Sequence, residues 1–288
     1  MQKKVSNGRL QKNILMKIII ENGGSKLDWF VIGEETVYSG VGVNFFGSDE
    51  YIVSQFEKKL HSLLCQSEKI DIDFYTAGLT SQSEQKIKFF FSKYKSINHV
   101  DVFSDMLAAS RALFKYDNGI ACILGTGSNC AYFDGIINHE ITFSTGYLLG
   151  DEGSGYDLGR QFLRAYFQNT LPIELKNLFS DKIQMNREDL LSNLYLNKNP
   201  KFYIANFTHF LKENEYHPFI ESMIHDSFLN FLKSNPFKYT DYHQYKFGFI
   251  GSVAFVFQHH IDKIMNQFDI DYIICERPIK NLQQYYLD

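Results

Sequence analysis

Two polar corners framed by glycine stand out among the residues that could do chemistry: Gly125-Thr126-Gly127-Ser128-Asn129 and Gly150-Asp151-Glu152-Gly153-Ser154-Gly155. The first closes an apolar run, Ile120 to Leu124. A glycine turn at a strand end lets backbone N–H groups come close to a ligand, because no Cβ stands in the way, and phosphate is the ligand such a turn suits. A shorter turn, Asn22-Gly23-Gly24-Ser25, closes the first apolar run, Lys17 to Ile20; alone it reads equally as a tight hairpin. Glu21 stands at the carboxyl end of that run. It suits a carboxylate that holds Mg²⁺ through water, or a solvated strand-end acid. Asp105 lies just past another strand end, where it can cap a helix or take the proton from an attacking hydroxyl. Asn44 and Asn129 are loop amides that can hydrogen-bond hydroxyl groups or simply form turns. Asp151 and Glu152 make a charged pair in a glycine frame; the alternative is a polar loop with Ser154 as a helix cap.

Other chemistries lack their residues. There is no GxxxxGK[ST] loop and no Gly-Lys dipeptide, and neither GxSxG nor HExxH occurs. Phosphate, if held, is therefore held between strands, by hairpin turns facing each other across a cleft. His259-His260 sits in a helical pattern without ligand-like neighbours in sequence and reads as structural or surface. The four cysteines, Cys65, Cys122, Cys130 and Cys275, form no CxxC pair, which fits reduced thiols in a cytoplasmic protein. Cys130 reads as a small buried hydrophobe. The net charge of −4, with both signs interspersed, argues against a nucleic-acid surface, and no run of about 18 apolar residues offers a membrane span. Residues 1–15 are basic without an apolar stretch and read as a disordered extension. The 27 Phe and 18 Tyr read as core filling.

The elements that must position these residues alternate. Strands are expected at 17–20, 29–32, 36–38, 70–76 and 99–103, with helices over 48–64, over 81–94 and from 104 onward. Alternation puts Ile70, Ile72 and Phe74 on one strand face. The order β-β-β-α-β-α-β-α predicts an α/β layer with a mixed sheet. The glycine-rich stretch then repeats the opening: apolar strand, glycine turn, strand, hairpin glycine (Gly33, then Gly135), strand. Such a repeat implies two similar domains. Residues 173–235 read as mostly helical, followed by a strand at 246–250, one helix over 253–268, a strand at 271–275 and a short helix from Pro278.

At these motifs the chain resembles the N-acetylglucosamine kinases of the BadF/BadG/BcrA/BcrD ATPase family, within the actin–hexokinase–Hsp70 superfold. LGTGSNCAYFDG (124–135) and GYLLGDEGSGYDLGR (146–160) carry the resemblance best, with IIIENGGSKLDW (18–29), VFSDMLAASRAL (102–113) and FIGSVA (249–254) in the same order. The resemblance implies an α/β fold of duplicated ribonuclease H-like (actin-like ATPase) domains with mixed five-stranded sheets and a helical insertion in the second. The domains would cover 16–104, with helix 278–288 returning to it, and 105–277. Asp105 would be the base that activates a sugar 6-hydroxyl. Gly23, Gly24, Ser25, Lys26, Gly125, Thr126 and Gly127 would serve the ATP phosphates, with Gly251 and Ser252 at the adenosine. Asn44, Asn129, Asp151 and Gly127 would hold the sugar, and Glu21 would assist Mg²⁺ through water. The implied activity is ATP-dependent phosphorylation of an amino sugar in the cytoplasm, by a protein that can form a homodimer. Alternatives are an ATPase that activates another enzyme, whose relatives need cluster-binding cysteines not arranged so here, and a non-catalytic sugar or nucleotide sensor. The chain departs from the family pattern at Glu21, where Asp is usual, at Leu27, where a hydroxyl residue is frequent, and after Asn44, where proline is missing.

Overall fold

The computed structural model describes residues 15–288 apart from 24, 25, 57, 67 and 198. The extension expected over residues 1–15 therefore falls, but for Leu15, outside the described residues.

Two five-stranded sheets organise the chain. The first contains β1 (Met16–Asn22), β2 (Lys26–Val31), β3 (Val37–Val41), β4 (Ile70–Thr76) and β5 (Ile97–Ser104), in the order β3-β2-β1-β4-β5. The second contains β6 (Gly119–Leu124), β7 (Ser128–Phe133), β8 (Asn138–His139), β9 (Phe247–Ile250) and β10 (Tyr272–Cys275), in the order β10-β9-β6-β7-β8. Both sheets follow one path. Three strands form an antiparallel meander that starts in the middle of the sheet, and two more add in parallel on its other side. The short repeat legible in the sequence is thus the visible part of a repeated sheet, and the expected duplicated α/β fold with mixed five-stranded sheets is the one observed.

Helices fill the connections. α1 (Asp49–Gln55) and α2 (Lys58–Leu64) join β3 to β4, and α3 (Ser81–Phe91) joins β4 to β5. α4 (Asp105–Phe114) leads from β5 into β6. Between β8 and β9 lies the expected helical insertion: α5 (Gly155–Phe167), α6 (Ile173–Ile183), α7 (Arg187–Tyr195), α8 (Pro200–Ala205), α9 (Thr208–Glu213) and α10 (Pro218–Ser234). α11 (Ser252–Val256) and α12 (Gln258–Gln267) precede β10, and α13 (Pro278–Leu287) ends the chain. The described residues form two compact units, one ending at Asp105 and including Tyr286–Asp288, the other Met106–Tyr285.

Two single helices of the sequence reading are broken in the structure. At Phe56 the backbone turns extended (ψ 136°), which ends α1 and places the ring among Phe45, Phe90 and Phe91. In the second unit, the break between α11 and α12 at Phe257 leaves another fully buried ring. In both places a large aromatic gains more from burial than the helix gains from continuity. The aromatic residues do fill the cores. Phe45, Phe56, Phe74, Phe90 and Phe91 pack in the first unit, and Phe162, Phe179, Phe207 and Phe210 in the second. Ile70, Ile72 and Phe74 share the buried face of β4 as expected. The opposite face carries Asp73, which is also buried and bonds Lys17 (2.9 Å) and the hydroxyl of Tyr286 (2.5 Å).

Candidate functional site

The first unit gathers its candidate residues at the carboxyl ends of its parallel strands. Asn22, Thr76 and Ser104 lie side by side in register, and Asp105 follows Ser104 directly as the first residue of α4. In α/β sheets this edge is where ligands bind. Glu21 lies opposite Asp28 across the β1–β2 pair. Burial, the facing Asp28 and the charge of Asp105 together push the Glu21 carboxyl up to about 7, against a smaller opposing pull from Lys26. Asp28 itself is buried at 3% exposure. One of its oxygens takes the Lys26 ammonium at 2.8 Å, and the other, Oδ1, has no hydrogen-bond partner among the described residues. The local excess of negative charge and this orphaned buried oxygen fit a cation. The three carboxylates do not converge within 4.8 Å of one another, so an ion between them would keep water in its shell. Gly23 donates its N–H to the Lys26 carbonyl at 2.9 Å and forms the near side of the turn. Gly24 and Ser25 lie outside the described residues.

Asn44 is exposed on the loop after β3. Its Oδ1 accepts the N–H of Phe46 at 2.9 Å, so it does form a turn, and its side-chain NH₂ keeps no partner among the described residues. Asn22 holds that loop in place. Its side chain donates to the Val43 carbonyl and accepts the Val43 N–H, both at 2.9 Å. The sequence reading singled out neither Asn22 nor Asp28. Asp28 had a signal, an acid inside an apolar strand whose hairpin register sets it against Glu21; Asn22 had none beyond its neighbours.

In the second unit three separated motifs meet. The carbonyl of Gly125 accepts the N–H of Gly155 (2.8 Å), and the carbonyl of Thr126 accepts that of Tyr156 (3.2 Å). The Gly125 N–H donates to Gly127 O at 2.9 Å and closes the turn. The N–H groups of Thr126 and Gly127 reach no protein acceptor among the described residues, as a phosphate cradle requires. Asp151 sits beside this turn in a left-handed conformation (φ 64°) and is 6% exposed. Its Oδ1 accepts the Ser128 N–H at 3.1 Å, and its Oδ2 pairs with the Lys201 ammonium at 2.7 Å. A Cβ on Gly127 would stand 2.5 Å from that ammonium and 2.8 Å from Asp151 Oδ2, so a side chain there would have to push the Lys201–Asp151 pair aside. Gly251 packs from the other side: its φ is 115°, and a Cβ would meet the Leu124 carbonyl at 2.4 Å. Ser252 opens α11 beside it and is exposed. Asn129 is half-buried, with its Oδ1 on the Cys130 N–H at 2.9 Å. Thus Gly125, Thr126, Gly127, Asp151 and Gly251 come together. Asp151 Oδ2 has the Lys201 ion pair but no hydrogen bond among the described residues, and through Oδ1 the side chain links the two glycine corners. Lys201, at the start of a short helix in the insertion, carries no sequence signal for this place. Cys130 is buried, and burial pushes its thiol up to about 12, which suits an inert hydrophobe.

Against known proteins, no family model and no curated sequence matches the chain. Solved structures do. The putative N-acetylglucosamine kinase of Porphyromonas gingivalis is 28% identical with a TM-score of 0.82, over 94% of this chain and 98% of its own. The protein of the same description from Chromobacterium violaceum is 13% identical with a TM-score of 0.69, over 95% and 99%. A ROK family transcriptional regulator shares the fold at 9% identity and a TM-score of 0.51, over 95% of this chain and 77% of its own. The fold alone therefore serves kinases and a regulator alike. Over nearly its whole length the chain is similar to these putative N-acetylglucosamine kinases and shares their fold, here two repeated mixed five-stranded sheets.

Proposed function

We propose that the protein is an ATP-dependent sugar kinase that phosphorylates N-acetylglucosamine at its 6-hydroxyl. The observation that carries this reading is the likeness to the Porphyromonas gingivalis protein, at 28% identity over 94% of the chain, since its description names an N-acetylglucosamine kinase. The local chemistry supports it. Phosphoryl transfer asks a protein mainly for positioning and for neutralising charge. The free N–H groups of Thr126 and Gly127 suit the phosphates, with Gly23, Gly24, Ser25 and Lys26 serving the first turn and Gly251 and Ser252 the adenosine. Asp105 takes the proton of the attacking hydroxyl. Asn44 and Asn129 offer amides to the sugar, and Asp151 orients the loop beside it. Glu21, with Asp28 nearby, would hold Mg²⁺ through water, and the ion would supply positive charge for the developing phosphoryl group. The opposite preference, in which nucleotide and sugar bind without turnover, is what a sensor would show.

The test is a coupled ADP assay with ATP and Mg²⁺ against a panel of N-acetylglucosamine, N-acetylmannosamine, glucosamine, glucose and 6-deoxy-N-acetylglucosamine. N-acetylglucosamine is expected to give the highest kcat/KM and the 6-deoxy sugar no product. Turnover of the 6-deoxy sugar would remove the 6-hydroxyl assignment, and no turnover of any sugar would remove the kinase.

A further inference from the structure

The second unit carries a cluster of nitrogen and oxygen donors that the kinase chemistry leaves unused. Glu215, in the corner between α9 and α10, meets His259 and His260 at the start of α12. One donor atom from each lies within 4.8 Å of the other two. His260 is 0% exposed, yet neither of its ring nitrogens has a hydrogen-bond partner, and His259 Nε2 is also unpartnered among the described residues. Buried polar atoms are nearly always satisfied, because leaving one unpaired forfeits its hydration with nothing in return. A neutral imidazole carries one N–H and one lone pair, so these two adjacent residues can offer a ligand one lone pair each. Glu215 is 4% exposed, and its second oxygen stands 3.6 Å from His259 Nδ1. Both of its oxygens take the Lys212 ammonium, at 2.7 and 2.9 Å, so a cation already occupies the carboxylate. A cavity of about 290 Å³ lined by Pro218, Glu221, Ser222, His225 and Lys263 reaches His260 and offers a way in.

We propose that Glu215, His259 and His260 form a binding site for a divalent transition-metal ion of the zinc class, which takes the place of the Lys212 ammonium on Glu215. Two imidazoles and one carboxylate are a zinc donor set, with the fourth position left to water. Tetrahedral zinc holds its ligand atoms roughly 3.4 Å apart. The trio must therefore draw together by about an ångström, within the reach of side-chain rotation. The ion would tie the α9–α10 corner to α12 and take one ring nitrogen of each histidine.

The experiment uses the full chain, stripped with a chelator and titrated with Zn²⁺ against a chromophoric competitor, and with Co²⁺ for its visible absorption. One equivalent should bind to the wild type, with four-coordinate Co²⁺ bands and a rise in Tm. Glu215→Gln and His259→Gln should each weaken binding at least roughly tenfold, with circular dichroism unchanged, and Lys212→Met should tighten it. Absorption spectroscopy at the zinc edge of the wild type should read two imidazole nitrogens, and this needs no variant to fold. No bound equivalent, binding in both Gln variants equal to wild type, or a zinc shell without imidazole would overturn the proposal. Each readout is independent of kinase turnover.

Discussion

At the scale of the residue, two carboxylates, Asp105 and Glu21, stand at the carboxyl edge of the first sheet. Asp105 is half-buried at the start of α4 and faces the charge of Glu21. As the general base it should be worth about 10²–10⁴ in rate. Asp105→Asn is expected to fold as the wild type and to lose that factor in kcat, read in the coupled ADP assay; near-normal turnover would remove the assignment. Glu21 is the more unusual group, since burial and two facing acids push its carboxyl up from 4.5 to about 7. The folded protein therefore binds a proton there more tightly than the unfolded chain. The stabilisation is complete below about 4.5 and is lost as pH rises through about 7, where the charged carboxylate must sit buried beside Asp28. Without divalent ions, Glu21→Gln should raise stability at pH 8 by a few kcal/mol and change it little at pH 4.5, as measured by urea unfolding. With Mg²⁺ and ATP the same variant should be slower than wild type.

At the scale of the element, the second glycine turn is held by its neighbours rather than by its own sequence. Gly155 and Tyr156 of α5 donate into it, Asp151 and Lys201 close one side, and Gly251 closes the other. Gly251→Ala forces a side chain into a left-handed backbone against the Leu124 carbonyl at 2.4 Å. A cost of about 2 kcal/mol or more is expected from the strained backbone with the overlap added. Urea unfolding should show it, with weaker nucleotide binding by calorimetry; unchanged values for both would mean that the turn does not depend on this contact. The glycine turns, the strand at 70–76 and the hairpin glycines were legible because glycine, apolar alternation and turn chemistry act locally. The breaks at Phe56 and Phe257 were not, because helical periodicity continues through both and only the buried pockets for those rings interrupt it. His259-His260 shows the same limit. In sequence the pair has no third ligand, and Glu215, far earlier in the chain, joins it only through the packing of α9, α10 and α12.

At the scale of the whole molecule, the two sheets repeat one strand order, and each unit has its own hydrophobic core. A ligand that binds the folded chain and not the unfolded one stabilises it by about 2.7 kcal/mol at a hundred times its Kd. ATP with Mg²⁺ and N-acetylglucosamine, each at that excess, should therefore raise Tm by several degrees in differential scanning fluorimetry. No shift with any of the sugars tested, alone or with nucleotide, would count against the proposed substrates.

The sequence by itself determined the α/β class, the duplication and the five glycine and acid motifs in their order, because each is written in local spacing and in the resemblance those spacings carry. The tertiary structure decided what the motifs touch. It set Asp28 against Glu21, pinned the loop of Asn44 with Asn22, and brought Lys201 onto Asp151 beside Gly127. These pairings join residues far apart in the chain, or depend on a hairpin register, and side-chain burial chooses them. The glycine-rich corners at 125–129 and 150–155 thus emerge as one hydrogen-bonded unit, a property of packing that neither corner states alone.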